Sequence, residues 1–337
     1  MFSDDIPVPR HDAGAGGSAV AAITPATLGL VAAPVTPTVT QFLNAANAEY
    51  IIGGVPAGMH PFTVLGFPVS YTNDLDGVSA QVWVTPQHQI IIAYQGTTGG
   101  ENIAINPLPA AAQIIADIGV YAGVTPPAEI DSLNFANFVV GLAHAAGYST
   151  SNIFVTGHSL GGIEAEYVAS KTGLAGIGFE STGLPRYAGE GGGSNFVNVV
   201  TYGDPVGNYS SDIKGEQPFA APYVPGGGNL PHYGNIVLVG NPADQTTLSH
   251  DVAKWGDGNP ADQVGVLANL VGLLTDFHLP GTQAHDLGVT LNPYASIIDG
   301  GGVQNSPVFN VANDTIPQLI SAAGSHGSLL PGVAHAV

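Results

Sequence analysis

The sequence predicts an α/β fold: a mostly parallel central sheet with helices on its faces and long Gly/Pro-rich loops. Three observations predict it. Short β-branched runs such as Ile153-Phe154-Val155-Thr156 alternate with segments of helical periodicity, the order that builds such a sheet. The first of these junctions, "VTGHSLGG", turns from strand to helix with glycines two residues to either side of Ser159. The remaining connections are rich in the chain's 47 Gly and 26 Pro, as loops around a packed sheet would be.

In chain order, residues 1–45 are weakly patterned and read as an N-terminal arm, with one helix expected near 38–49. "SAQVWVTPQHQIIIAYQGTT" (79–98) reads as two strands joined around Pro86-Gln87-His88 and ending in a polar loop. Residues 99–128 are apolar and Gly/Pro/Ala-rich; the spacing predicts a helix at 110–121, and such a segment beside a site would serve as a lid. In "DSLNFANFVVGLAHAAG" (131–147), Asp131 is the expected N-cap, Leu133, Phe135, Phe138, Val139 and Leu142 form the apolar face, and Gly147 ends the helix. Strands are expected at 176–180, 195–204 and 235–240, and an apolar helix at 262–277. Without an internal repeat or sharp linker, residues 46–300 read as one domain, and 301–337 as a tail packing on it or extending from it.

Composition excludes whole classes of function. Five Lys+Arg stand against 25 Asp+Glu, a formal net charge of −20, which argues against nucleic acid and against an electrostatic grip on anionic membranes. Zero cysteines remove disulfides, thiolate chemistry and Cys-ligated metals. No apolar run reaches about 18 residues, so no transmembrane segment is expected. The opening "MFSDDIPVPRHDAGAGG" lacks a basic head followed by an apolar core. Acidity nonetheless fits a secreted protein, so an extracellular location is expected, by another export route or with a leader outside this sequence.

The chemistry centres on Ser159. A strand running straight into a helix reverses within a few residues, and the residue at the apex is held in a strained conformation with its side chain projecting. Gly157 and Gly161 let strand and helix approach, which is the geometry of a nucleophile elbow. The helix N-terminus then points at the serine, and the Leu160 amide is placed to stabilise an oxyanion. A serine hydroxyl needs a histidine base and an orienting carboxylate. Asp204, ending the strand over 196–202, is the preferred acid, with Asp244 second and Asp212 third. Both His278, in "TDFHLPG", and His285, in "TQAHDLG", suit a base; His232, His250, His326 and His335 read as loop residues without a supporting pattern. Thr97, in "AYQGTT", is the candidate second oxyanion donor.

"VTGHSLGG" together with "IIAYQGTT" resembles the class-3 lipases. Gln95 stands where those proteins carry an Arg. The order of "GIGFESTGLP" (176–185), "VNVVTYGDPVGN" (197–208) and "FHLPG" (277–281) resembles, more narrowly, the catalytic domain of bacterial lipases exported by the type I route. The resemblance covers roughly residues 80–295. It implies an α/β-hydrolase fold, Asp204 as the triad acid and His278 as the base, although Phe277 replaces the family's Ser before that histidine. A long Gly/Pro-rich interval between Asp204 and His278 keeps His285 as an alternative. The family's Gly-rich calcium repeats are absent from the sequence.

The expected function is therefore a serine carboxylic-ester hydrolase acting on lipidic or other hydrophobic esters, with such a substrate, free or at an interface, as its expected partner. A polyester hydrolase, a phospholipase, an acyltransferase or a non-catalytic surface protein on the same fold are the alternatives. No cofactor is required by this chemistry. Calcium is the candidate ion, with "NDLDG" (73–77) and "DGNPAD" (257–262) as acidic loops that more simply read as solvated turns.

Overall fold

A computed structural model describes residues 35–96, 127–184, 193–208, 232–295 and 309–330. The expected N-terminal arm, apart from residues 35–45, lies outside the described residues, as do Thr97, Asp212, His335, the helix expected at 110–121 and most of the loop proposed as a lid.

The protein is mixed α/β, with a mostly parallel central sheet flanked by helices. Strands β1 (His60–Pro61), β2 (Thr63–Val64), β3 (Phe67–Pro68) and β4 (Ser70–Asn73) precede the two long strands β5 (Val78–Val84) and β6 (Ile90–Tyr94). β5 and β6 pair antiparallel as the expected hairpin. From β6 the sheet continues in parallel through β7 (Ile153–His158), β8 (Ala175–Phe179), β9 (Phe196–Thr201) and β10 (Asn235–Val239). The short β11 (Leu329–Leu330) closes the edge antiparallel to β10. β2 and β3 form a separate two-stranded ribbon. Five neighbouring parallel strands require crossovers, and buried strands of this kind are apolar on both faces. β6, β7 and β9 are buried at every residue.

Side-chain alternation divides the core in two. Ile91, Ala93, Phe154, Ile177, Val197 and Val237 point to one face, where α1 (Val39–Ala48), α6 (Pro280–Leu287) and α7 (Ile316–His326) cover them. Ile90, Ile92, Tyr94, Ile153 and Val155 point to the other, under α2 (Pro127–Ala145) and α3 (Leu160–Thr172). α1 begins at a capping box in which Thr38 and Gln41 bond each other's backbone amides. Helices α4 (Gln245–Gly256) and α5 (Pro260–Leu273) follow β10. α5 runs on into a wider π-type turn, Leu274–His278. Among the described residues no single helix is long and apolar enough to cross a membrane.

Three expectations are corrected. Asp131 does not cap α2, which starts four residues earlier at Pro127. Asp131 falls within the helical segment, and its carboxylate reaches out to accept from the Tyr71 hydroxyl at 2.7 Å and Asn73 Nδ2 at 2.9 Å. Phe138, expected on the apolar face of that helix, is exposed because the buried face runs through Phe135, Ala136, Val139 and Ala143. His250 and His326 are helical residues of α4 and α7, not loop residues.

Candidate active site

Ser159 sits between β7 and α3 with φ 59 and ψ −125, a conformation that L-residues avoid unless the surroundings impose it. The surroundings do impose it. A methyl group on Gly157 would overlap the Gly161 carbonyl, and one on Gly161 would overlap the Tyr94 carbonyl, so only hydrogen fits where strand, helix and the neighbouring β6 meet. The Ser159 amide donates to the Phe179 carbonyl at 2.8 Å, tying the apex to β8. Leu160 is the first residue of α3, and its N–H belongs to the four that a helix leaves without an intrahelical acceptor.

Asp204 follows β9 after Gly203, whose φ of 89 turns the chain. It is fully buried. Its Oδ1 accepts from the Val206 amide at 3.2 Å and its Oδ2 from the Gly207 amide at 2.7 Å. Burial alone would raise its pKa. The charge and hydrogen bond of His278, with the bonds from Glu180 and Gly207, outweigh burial and hold it at about 2.

His278 ends the π-type turn and is brought over Ser159. Its Nε2 lies 2.9 Å from Ser159 Oγ, and its Nδ1 lies 3.1 Å from each oxygen of Asp204. Nδ1 faces a carboxylate, so it carries the proton, which leaves Nε2 as the acceptor for the serine hydroxyl. The turn is fastened by Gln283 Nε2 to the Phe277 carbonyl at 2.9 Å and Thr282 Oγ1 to the Asp276 carbonyl at 2.7 Å. Of the two candidate histidines, the structure brings His278 to Ser159 and Asp204. His285 lies in α6 and its Nδ1 meets Asp286 at 3.1 Å. Asp244 lies in a short turn, Pro242–Asp244, and Asp204 takes the histidine in its place.

Two residues of the site escaped the sequence reading. His158, beside Ser159, is buried and donates from Nε2 to the His278 carbonyl at 2.6 Å, with the Tyr50 hydroxyl on its Nδ1 at 2.8 Å. Burial, then the nearby His278, lower its pKa to about 3, so the ring is neutral. Glu180, directly after β8, is buried next to Asp204. The legible signal for both was a polar residue at the end of an apolar strand, where a buried group must find partners.

His232 is buried and its Nε2 meets the Ser181 carbonyl at 2.9 Å, while His326 lies edge-on to Phe309. In the loops read as calcium candidates, Asp76 accepts from the Val78 amide and Asn259 caps α5 by accepting from the Ala261 amide. Among the described residues no group of three or more His, Cys, Asp or Glu is placed to hold a metal ion.

No protein-family model matches the sequence. No curated protein matches it either.

Proposed function

We propose that the protein is a serine carboxylic-ester hydrolase with an α/β-hydrolase fold, acting on lipidic or other hydrophobic esters. One observation carries the reading: His278 bridges Asp204, at 3.1 Å, and the Ser159 hydroxyl, at 2.9 Å. Nucleophile, base and orienting acid follow one another at hydrogen-bonding distance, which is what acyl transfer requires of a serine. The strand–turn–helix at Ser159 and the placement of Asp204 after a later parallel strand support the fold assignment. The resemblance of the motifs to type I-exported lipases points the same way.

In the proposed reaction, Ser159 Oγ attacks the ester carbonyl while its proton passes to His278 Nε2. Asp204 keeps the other ring proton on Nδ1 and stabilises the imidazolium. The Leu160 amide, at the N-terminus of α3, meets the negative charge that develops on the carbonyl oxygen. The imidazolium returns its proton to the leaving alcohol. Water, deprotonated by His278, then cleaves the acyl-enzyme. Thr97, two residues past Gln95, is proposed as the second donor. Five Lys+Arg in the whole chain suit an uncharged substrate better than an anionic one.

The test is a fluorophosphonate probe followed by a substrate panel. Wild type is expected to be labelled and Ser159→Ala is not; equal labelling of the two would overturn the reading. Triglycerides, short aryl esters, phospholipids and polyester films then assign the substrate, with hydrolysis of the first two expected. Adding a chelator during the assay reports whether calcium contributes.

A further inference from the structure

Glu180 follows β8, the strand lying between the strand that ends at Ser159 and the strand that leads to Asp204. It is fully buried, and its φ of 52 places a non-glycine residue in the left-handed region. Backbone preference does not explain a glutamate there; its side chain must. Oε1 is accounted for: it accepts from the Thr201 amide at 2.9 Å and from the Thr201 hydroxyl at 2.6 Å. Among the described residues, Oε2 receives no bond from any N–H or O–H. It faces the triad acid instead. A methyl group on Gly207 would collide with Glu180 Oε2 and stand 3.1 Å from Asp204 Oδ2, so both oxygens border one small space.

Two buried carboxyl groups this close cannot both be charged. Asp204 is the member fixed as the anion, because it accepts from His278 Nδ1 and from the Val206 and Gly207 amides. The donor missing from Glu180 Oε2 is then a proton of its own. Burial first, and then the Asp204 charge, push Glu180 well above the usual carboxylate range, the direction this arrangement requires. The groups facing the pair are Thr201, from the end of β9, and His278, from the turn after α5.

We infer that Glu180 is a neutral carboxylic acid that donates from Oε2 to the Asp204 carboxylate and positions it for His278. It is a positioning residue, since it touches neither substrate nor the reacting atoms. Its neutrality matters. An ionised Glu180 would add a second negative charge behind the imidazole and change how readily His278 takes up a proton. A neutral donor holds Asp204 without doing so.

The kinetic consequences rest on the hydrolase reading, but the proton does not, so the experiment has two arms. In the first, difference infrared spectra of wild type against Glu180→Gln at neutral pH are expected to show a protonated carboxyl C=O stretch that the variant lacks. Absence of that difference overturns the proposal, whatever the enzyme's activity. In the second, hydrolysis of an aryl ester is followed against pH. Glu180→Gln keeps a neutral donor, so its kcat is expected within a few-fold of wild type, with the acid limb of kcat/KM unmoved. Glu180→Ala loses a buried charge-assisted bond, so kcat is expected to fall roughly 10–100-fold.

An acid limb displaced to lower pH in Glu180→Gln would mean that a negative charge had been removed, and would overturn the neutral assignment. An Ala variant with lowered Tm but wild-type kcat would reduce Glu180 to a structural clamp on Thr201 and overturn the positioning role. If Glu180→Ala does not fold, Glu180→Gln carries the test. Wild type with the infrared band but without esterase activity would sink the hydrolase reading and leave the carboxyl pair standing.

Discussion

The ring of His158 donates to the backbone carbonyl of His278 across 2.6 Å, so the residue beside Ser159 holds the main chain of the histidine that meets the Ser159 hydroxyl. The two rings are 4.9 Å apart, centre to centre. Nε2 must carry the proton, since a carbonyl can only accept, and Nδ1 is then free to accept from the Tyr50 hydroxyl at 2.8 Å. Replacing His158 by Phe keeps a ring in the space and removes both bonds. The expected result is a kcat reduced about 10–100-fold, with KM little changed, because a base displaced by a fraction of an ångström loses geometry, not affinity. Steady-state kinetics on a variant with native circular dichroism checks it.

The same ring makes stability depend on acid. His158 has a folded pKa of about 3, below the 6.5 of a free imidazole. The unfolded chain therefore binds a proton that the folded chain refuses, and stability falls as pH drops from about 6.5 toward 3. Asp204, held at about 2 against 3.8 when free, adds a second loss at the lower end of that window. Denaturant midpoints measured from pH 7 to 4 are expected to decline, and His158→Phe is expected to flatten the upper part of the decline. An unchanged slope would mean that the ring titrates normally.

Local chemistry explains what was legible in the sequence. The turn at Ser159 could be read because its glycines and flanking periodicities are all within a dozen residues. Asp204 could be read because a carboxylate ending a buried strand faces the sheet edge. The choice between His278 and His285 could not. Each is a polar residue near a helix end, and only the long run from α5 into the turn at 274–278 decides which reaches Ser159. Asp131 was misplaced for the opposite reason: it looks like a cap, but Tyr71 and Asn73, about 60 residues away, claim its carboxylate. His158 and Glu180 depend wholly on partners distant in the chain, Tyr50 and His278 for the one and Thr201 and Asp204 for the other, and no local pattern encodes those meetings.

Glu49 is expected to weaken the fold on the alkaline side. Its carboxyl, directly after α1, is buried, accepts from Trp83 Nε1 at 3.1 Å, and among the described residues has no partner for Oε2. Burial raises its pKa from 4.5 to about 8, only partly offset by the bonds from Trp83 and Gln81. The folded state thus keeps a proton that the unfolded state releases. The stability is fully present below about 4.5 and is lost as pH rises toward 8. Glu49→Gln, neutral at every pH, is expected to be more stable than wild type at pH 8 and to differ less at pH 5. Thermal melts at the two values make the comparison.

The elbow glycines are expected to be intolerant of even one methyl group. In Gly161→Ala the new carbon would overlap the Tyr94 carbonyl at the end of β6 and crowd the backbone of Gln95 just after it, groups that cannot rotate away. The cost is expected at about 1–3 kcal/mol or more, the range for forced overpacking. Gly141→Ala is the control, since a carbon added there meets nothing within 4 Å. Chemical denaturation of both variants should show a large loss for the first and none for the second.

The assignment of base and acid predicts unequal losses from chemically similar substitutions. His278→Ala removes the ring bonded to Ser159, and Asp204→Asn keeps the shape of the acid but lets Nδ1 lose its proton acceptor. Each is expected to lower kcat by about 10⁴-fold, the scale on which triad members fail. His285→Ala breaks a partly exposed contact with Asp286, and Asp244→Asn alters a turn beyond β10, so both are expected to keep kcat within a few-fold. Because triad members act as a unit, the double variant His278→Ala/Asp204→Asn should be scarcely worse than either single one. Additive losses would show that the two residues act independently, which the 3.1 Å contact between them does not allow.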